Sequence, residues 1–352
     1  MQRSFVRKSL RELRPYVPGE QPPDGDDWLK LNTNESPFPP SPRVIEALQL
    51  GAGDSLRLYP SATAAPARHA IASRVGLDPA QVTLGNGADE LIEMCLRAFA
   101  GAGDHVAFPT PTYPVLEPLC TIHDAVPSPH PTEFPWELPH TLAADPAVLK
   151  IIANPNSPTG ALFPAEAVEA VVAASSGVVL IDEAYVDFAP HSCLPLLKWH
   201  PNVLLVRTFS KSYALAGLRI GFALGHRDLI AALDLVKESY NVDRLAGLAA
   251  VAAIEDEEHH RWIVNQVVEN RAELGGALVD MGFELVPSSA NFVFVQPPQP
   301  AAAVAAALRE RKILVRHYDR EPIAGWLRIT VGTKEQHQRL LTALKEILRR
   351  DA

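Results

Sequence analysis

The feature that most constrains this chain is a series of short apolar segments, each ending abruptly in polar residues. They are Val106-Ala107-Phe108, Leu149-Lys150-Ile151-Ile152-Ala153, Val178-Val179-Leu180-Ile181 and Val203-Leu204-Leu205-Val206. Runs this short, rich in β-branched residues and lacking polar alternation, are the pattern of strands buried on both faces. A helical pattern over Ala165–Ala174 separates two of them. Upstream, a strand over Gln81–Leu84 runs through Gly85-Asn86-Gly87 into a helix over Ala88–Ala100, with Leu91, Ile92, Cys95, Leu96 and Phe99 on one side. Strands alternating with helices predict an α/β fold, a large domain whose mostly parallel sheet is covered by helices.

After about residue 225 the texture changes. Long helical patterns over Asp228–Lys237 and Glu257–Met281 lead to short strands at Phe283–Val286, Phe292–Val295, Ile313–Val315 and Trp326–Val331, with helices at Ala301–Arg311 and Glu335–Leu348. This predicts a smaller α+β C-terminal domain. The expected organisation is an N-terminal arm over 1–42, closing in the proline-rich Ser36–Pro42, a cofactor-binding domain over 43–225, and a small domain over 226–352 against which the arm packs. Within the arm, Val6, Leu10, Leu13 and Val17 are spaced for one face of a short helix, flanked by Arg3, Arg7, Lys8, Arg11 and Arg14.

Composition removes several function classes. The 352 residues are 47% hydrophobic and 21% charged, which excludes global disorder. A net charge of -9 offers no field for a nucleic-acid backbone. The longest near-continuous apolar run, Leu245–Ile254, is too short to span a bilayer and predicts a buried helix, so no membrane partner is expected. Three widely spaced cysteines, Cys95, Cys120 and Cys193, form neither a disulfide framework nor a Cys-x-x-Cys site, in keeping with a reducing, cytoplasmic setting. His259 and His260 follow an acidic run without zinc-ligand spacing and are expected on a solvated helix face, so no metal is expected.

In a parallel sheet, ligands gather beyond the carboxyl ends of the strands. The polar residues found there are Asn154-Pro155-Asn156-Ser157-Pro158-Thr159-Gly160, Asp182-Glu183-Ala184-Tyr185 and Arg207-Thr208-Phe209-Ser210-Lys211-Ser212. This set meets the needs of pyridoxal 5'-phosphate: a lysine for the aldehyde, an anion beside the pyridine nitrogen, and donors for the phenolate oxygen. Lys211, Asp182, and Tyr185 with Asn154 would supply them. A phosphate needs backbone N–H groups at a helix start and a cation; Gly87-Ala88-Asp89 offers the first and Arg219 the second.

The strings Leu31-Asn32-Thr33-Asn34-Glu35-Ser36-Pro37, Asn154 to Gly160, Asp182 to Tyr185, and Thr208-Phe209-Ser210-Lys211 leading to Ala216-Gly217-Leu218-Arg219 together resemble the fold-type I aminotransferases. The ending Leu327-Arg328-Ile329-Thr330-Val331-Gly332-Thr333 and the early Arg14-Pro15-Tyr16 are most similar to the histidinol-phosphate branch of that family. The resemblance implies that Tyr113 lies against the cofactor ring and that Thr208 and Ser210 serve its phosphate. Tyr59 would reach the phosphate in the neighbouring subunit of a homodimer with shared active sites. This chain has Leu58 where the family often shows arginine before the Tyr-Pro pair. Arg328 would take the α-carboxylate of the amino-acid substrate, Arg316 the substrate phosphate, and Tyr16 and Asn34 would line the substrate side. The implied reaction converts L-histidinol phosphate and 2-oxoglutarate to imidazole-acetol phosphate and L-glutamate. An aromatic amino-acid aminotransferase, a threonine-phosphate decarboxylase and a non-enzymatic pyridoxal-phosphate-sensing regulator share these motifs and stay open at this point.

Overall fold

Each apolar run becomes a strand, in a computed structural model that describes residues 5–23 and 27–350. Arg3 of the basic N-terminal cluster lies outside the described residues. The strands are β1 (Leu29–Leu31), β2 (Val82–Gly85), β3 (His105–Thr110), β4 (Val126–Pro131), β5 (Leu149–Ala153), β6 (Val178–Asp182), β7 (Val203–Thr208), β8 (Gly221–Gly225), β9 (Glu284–Val286), β10 (Phe292–Gln296), β11 (Ile313–His317) and β12 (Leu327–Thr330). The helices are α1 (Pro42–Gly51), α2 (Ala65–Val75), α3 (Gly87–Phe99), α4 (Leu116–Ile122), α5 (Thr141–Ala144), α6 (Ala165–Ala174), α7 (Arg227–Val236), α8 (Arg244–Glu255), α9 (Glu257–Asp280), α10 (Ala301–Glu310) and α11 (Lys334–Arg350).

The larger sheet has seven strands in the order β2-β8-β7-β6-β5-β3-β4. All neighbours are parallel except β8, which runs antiparallel to both β2 and β7. Two apolar cores, one on each face, explain why its central strands carry no polar alternation: Ile152, Ile181 and Leu205 face one, Ile151, Leu180 and Leu204 the other. The outer strand β4 carries Pro127, Pro129 and Pro131 at alternate positions. The amide of Val126 bonds Asp104 and that of Thr132 bonds Thr110, so the prolines fall on the outward side, where a missing N–H breaks no ladder.

The smaller sheet has five strands in the order β1-β11-β12-β10-β9. The arm joins it: β1 pairs parallel with β11, Leu29 opposite Ile313 and Leu31 opposite Val315. Its core is built from Leu29, Leu31, Leu274, Val295, Leu308, Ile329 and Leu344, among others.

Two expectations are corrected. The large unit does not end at 225. Ile230 and Leu233 of α7 join the core formed by α3, and Ala246, Ala249, Ala250, Ala253 and Ile254 of α8 pack into the core that holds Ala67 and Ile71 of α2. The change of texture at 225 marks the end of the strands, whereas the covering helices continue to 255; Asp256 then caps α9, accepting from the His259 amide. The helix predicted over Val6–Val17 is a single 3-10 turn at Lys8–Leu10, and Val17 is exposed, because Pro15 and Pro18 remove the amides a longer helix would use.

Candidate active site

Because β5, β6 and β7 are parallel neighbours, the segments that follow them emerge at one edge of the sheet. A pocket of about 220 Å³ opens there, and Asp182, Tyr185, Thr208, Ser210 and Lys211 line it from the large unit. Tyr16, Asn34 and Arg328 close it from the arm and the small sheet.

Asp182, the last residue of β6, is buried, and among the described residues its carboxylate accepts only the Ala184 amide, at 3.0 Å. Among the described residues no cation pairs with it, and burial pushes its carboxyl up to about 7. Lys211 sits in the turn after β7. Burial, with Arg328 next in weight, pulls its ammonium down to about 8. Its Nζ lies 5.8 Å from the centroid of the Tyr185 ring. The buried Tyr185 hydroxyl accepts from Asn34 Nδ2 at 2.9 Å, and burial raises the phenol above its ordinary value. Asn34 takes a left-handed backbone (φ 56°), held because its amide donates to Thr330 Oγ1 and its carbonyl accepts from Asn291 Nδ2.

The start of α3 forms an anion cradle. Asn86 makes no side-chain cap, so the first-turn amides are free of that partner. Gly87 has φ 84°, and a Cβ there would stand 2.7 Å from Arg219 Nη2, so only glycine lets the guanidinium lie against the helix start. Arg219 pairs with Asp89 at 3.1 Å. The Thr208 hydroxyl donates to Ser210 Oγ at 2.9 Å, and both side chains, with Ala88 and Asp89, reach the pocket. Tyr113 donates to Asp89 Oδ1 at 3.1 Å and meets Tyr16 edge to face at 5.8 Å; burial and then Asp89 push its phenol well up.

Arg328 of β12 is only 8% exposed. Its guanidinium donates to the Asn32 carbonyl at 2.9 Å and to Ser157 Oγ at 3.3 Å, its Nε has no partner, and no carboxylate neutralises it among the described residues. An acid without a cation and a cation without an acid thus face one cavity, an arrangement that is costly until a ligand supplies both counter-charges.

Two residues expected in this pocket fall elsewhere. Asn154 does not reach the pocket as a donor for the cofactor: its Oδ1 accepts the Phe163 amide at 2.8 Å and its Nδ2 donates to the Phe163 carbonyl at 3.2 Å, so the side chain closes its own loop. The residue that loop delivers is Ser157, which the sequence did not single out. Arg316 lies in the adjoining groove, where it donates to the carbonyls of Val17 (2.7 Å) and Pro18 (3.2 Å). Tyr59, expected to serve the neighbouring subunit and not this pocket, is 78% exposed and stacks on Tyr240 at 4.5 Å.

The residues fit pyridoxal 5'-phosphate on three counts: an uncompensated buried carboxylate for a protonated ring nitrogen, a lysine lowered toward its reactive neutral form, and a cradle cleared by Gly87 for phosphate. Residues 26–344 match the family model described as aminotransferase class I and II. The chain is 45% identical over 349 residues to a histidinol-phosphate aminotransferase of Acetobacter pasteurianus, covering 98% of each. It is also 45% identical over 351 residues to one of Aromatoleum aromaticum, covering 96% of this chain and 97% of the other. A solved histidinol-phosphate aminotransferase of Sinorhizobium meliloti, in complex with pyridoxal 5'-phosphate, superposes with a TM-score of 0.86 at 29% identity over 92% of each chain. Seven-stranded sheet, strand-end lysine and acid, and near full-length similarity converge: the chain belongs to the class I and II aminotransferases.

Proposed function

We propose that this protein is a pyridoxal-phosphate-dependent histidinol-phosphate aminotransferase of histidine biosynthesis, acting in the cytoplasm on L-histidinol phosphate and 2-oxoglutarate. The observation that carries the reading is the lowered, buried Lys211 placed in one pocket with the uncompensated Asp182 and Arg328. When bound, the cofactor supplies an electron sink that stabilises negative charge on the substrate carbon. The protein's residues do the rest. Asp182 holds a proton on the ring nitrogen. Tyr185, fixed by Asn34, and Ser157 would offer hydroxyls to the cofactor's ring oxygen, and Tyr113 would pack against the cofactor. The amides of Ala88 and Asp89, with Thr208, Ser210 and Arg219, hold the phosphate. The Lys211 amine would hold the cofactor and, as general base, take the proton from the reacting carbon.

Glutamate and 2-oxoglutarate carry an α-carboxylate, which the free edge of Arg328 can take. Histidinol phosphate offers a phosphate to the same cation, with Tyr16 at the rim; Arg316 joins it on leaving the carbonyls of Val17 and Pro18. The active unit is a homodimer in which Tyr59 of one subunit serves the other's site. Support comes from its exposed, stacked ring beside the exposed Leu56 and Leu58.

The test is a donor screen with the purified protein, pyridoxal phosphate and 2-oxoglutarate, comparing histidinol phosphate, phenylalanine, tyrosine and threonine phosphate. The highest kcat/KM is expected with histidinol phosphate. A preference for an aromatic amino acid, or loss of carbon dioxide from threonine phosphate, would overturn the substrate assignment.

A further inference from the structure

His259 and His260 do not both lie on the solvated face that their acidic flank predicts. His259 turns to the Pro39 carbonyl at 3.1 Å. His260, in the first turn of α9, points inward: its side chain is 12% exposed and its ring stacks on Tyr213 with centroids 4.1 Å apart. Its Nε2 lies 3.3 Å from Asp187 Oδ2.

Asp187 belongs to the short turn Val186–Phe188 that directly follows Tyr185. The same Oδ2 accepts the hydroxyl of Ser212, the residue after Lys211. One carboxylate oxygen therefore joins three segments: the turn carrying Tyr185, the turn carrying Lys211, and the first element of the small domain. Close by, Arg207 bonds Glu183, the residue after Asp182, at 2.9 Å. A second cavity of about 280 Å³, lined by Glu183, Asp187, Arg207, Tyr213 and His260, adjoins these turns. Ser212 is buried, and among the described residues Lys211 Nζ has no hydrogen-bond partner, its carbonyl alone being held by the Ala214 amide, so the amine's direction depends on the turn that bears it.

We propose that His260 is a positioning residue for the transfer reaction: by donating to Asp187, which in turn holds Ser212, it fixes the direction in which Lys211 presents its amine. This rests on the function proposed above. A glutamine at 260 places an amide nitrogen at nearly the reach of the imidazole Nε2 and can donate to the same oxygen, whereas alanine cannot.

The experiment compares wild type, His260→Ala, His260→Gln, Ser212→Ala and the His260→Ala/Ser212→Ala double variant, each loaded with pyridoxal phosphate. The readouts are kcat and KM with glutamate and the circular dichroism of the visible cofactor band, which reports the orientation of the lysine-bound ring. His260→Ala should lower kcat about tenfold with KM within about twofold, as for a displaced reacting group, and reduce the visible circular dichroism. His260→Gln should recover most of both, and the double variant should lose no more than either single one, because both act through Asp187. Wild-type kcat and dichroism in His260→Ala, or a glutamine variant no better than alanine, would overturn the proposal. If His260→Ala does not fold, His260→Gln and Ser212→Ala carry the test: a glutamine variant near wild type beside an impaired Ser212→Ala supports it, and a glutamine variant as impaired as Ser212→Ala, with a His260→Gln/Ser212→Ala double variant losing the product of the two, overturns it. A wild type that fixes no cofactor on Lys211 sinks the function itself and this proposal with it; unaffected His260 variants beside a normally labelled Lys211 sink only the proposal.

Discussion

The two sheets give the pocket different kinds of residue. The seven-stranded sheet delivers Asp182, Lys211 and the Ser157 loop from three adjacent parallel strands, each buried along nearly its whole length. The five-stranded sheet and the arm deliver Arg328, Asn34 and Tyr16 from short strands and connecting segments, one of which, β1, is only three residues long. Groups that must stay aligned with the cofactor are set in the most deeply packed part of the molecule. Groups that must accept two chemically distinct substrates stand on shorter strands and connecting segments. The difference teaches that reaction type and substrate choice are separately adjustable here.

The sharpest way to break that division is on the large-sheet side. Lys211→Ala should lower transfer by about four orders of magnitude, the upper range for a general base that also anchors, and borohydride should then fix no cofactor at that position. Asp182→Asn should keep the cofactor yet lose about a hundred- to a thousandfold in kcat, since an amide cannot hold the ring nitrogen protonated. Near-normal turnover in either variant would refute the assignment of chemistry to the strand ends.

The small-sheet side should respond more selectively. Arg328→Ala is expected to cost about 2–5 kcal/mol in both half-reactions, as for truncating a buried charge contact. Arg316→Ala, whose guanidinium already rests on arm carbonyls, should cost about 1.5–3 kcal/mol, the scale of hydrogen bonds to a charged group, and mainly with histidinol phosphate. Single-turnover rates with each donor measure both, and an Arg316 loss equal to or above that of Arg328 would overturn the ranking. Subunit mixing then tests whether a partner completes the large-sheet side. Equal amounts of Lys211→Ala and Tyr59→Phe chains should regain about a quarter of wild-type activity, because half the dimers are mixed and each has one intact site. No rise above the parents, with mixed dimers formed, counts against a crossing Tyr59.

The smallest effect is a pH displacement. Burial disfavours the Lys211 ammonium, so the amine becomes available on raising the pH through about 8 instead of the ordinary 10.5. Cofactor capture by stripped protein, followed by absorbance in stopped flow, should accelerate from pH 6 and level off above about 8 to 9. A rate still climbing steeply at pH 10 would show that burial does not govern this lysine.

Much of this was legible in the sequence for a physical reason. Strands covered on both faces must be apolar throughout, and a polar residue ending such a run is visible without coordinates, which is how Asp182 and Lys211 stood out. The strands that escaped lack that signature. β4 alternates prolines with polar residues, β8 is a short Gly-to-Gly segment, and β1 is too brief to show a period. In Asn154–Gly160 the composition promised a polar contact but not which side chain would turn inward. Loop closure between Asn154 and Phe163 decides that, and it selects Ser157. The boundary at 225 failed because helices that cover a sheet and helices that begin a new domain share one periodicity.

The proline-bearing margin of β4 bears on how the protein behaves in a crowded solution. A bare strand edge invites stray chains to zip onto it, and alternate pyrrolidine rings remove every N–H that this edge would donate to an incoming backbone, leaving only carbonyls. Nascent or partly opened copies therefore find only half a ladder on that flank. Self-association is steered toward contacts made by side chains, where shape and charge can discriminate one partner from another.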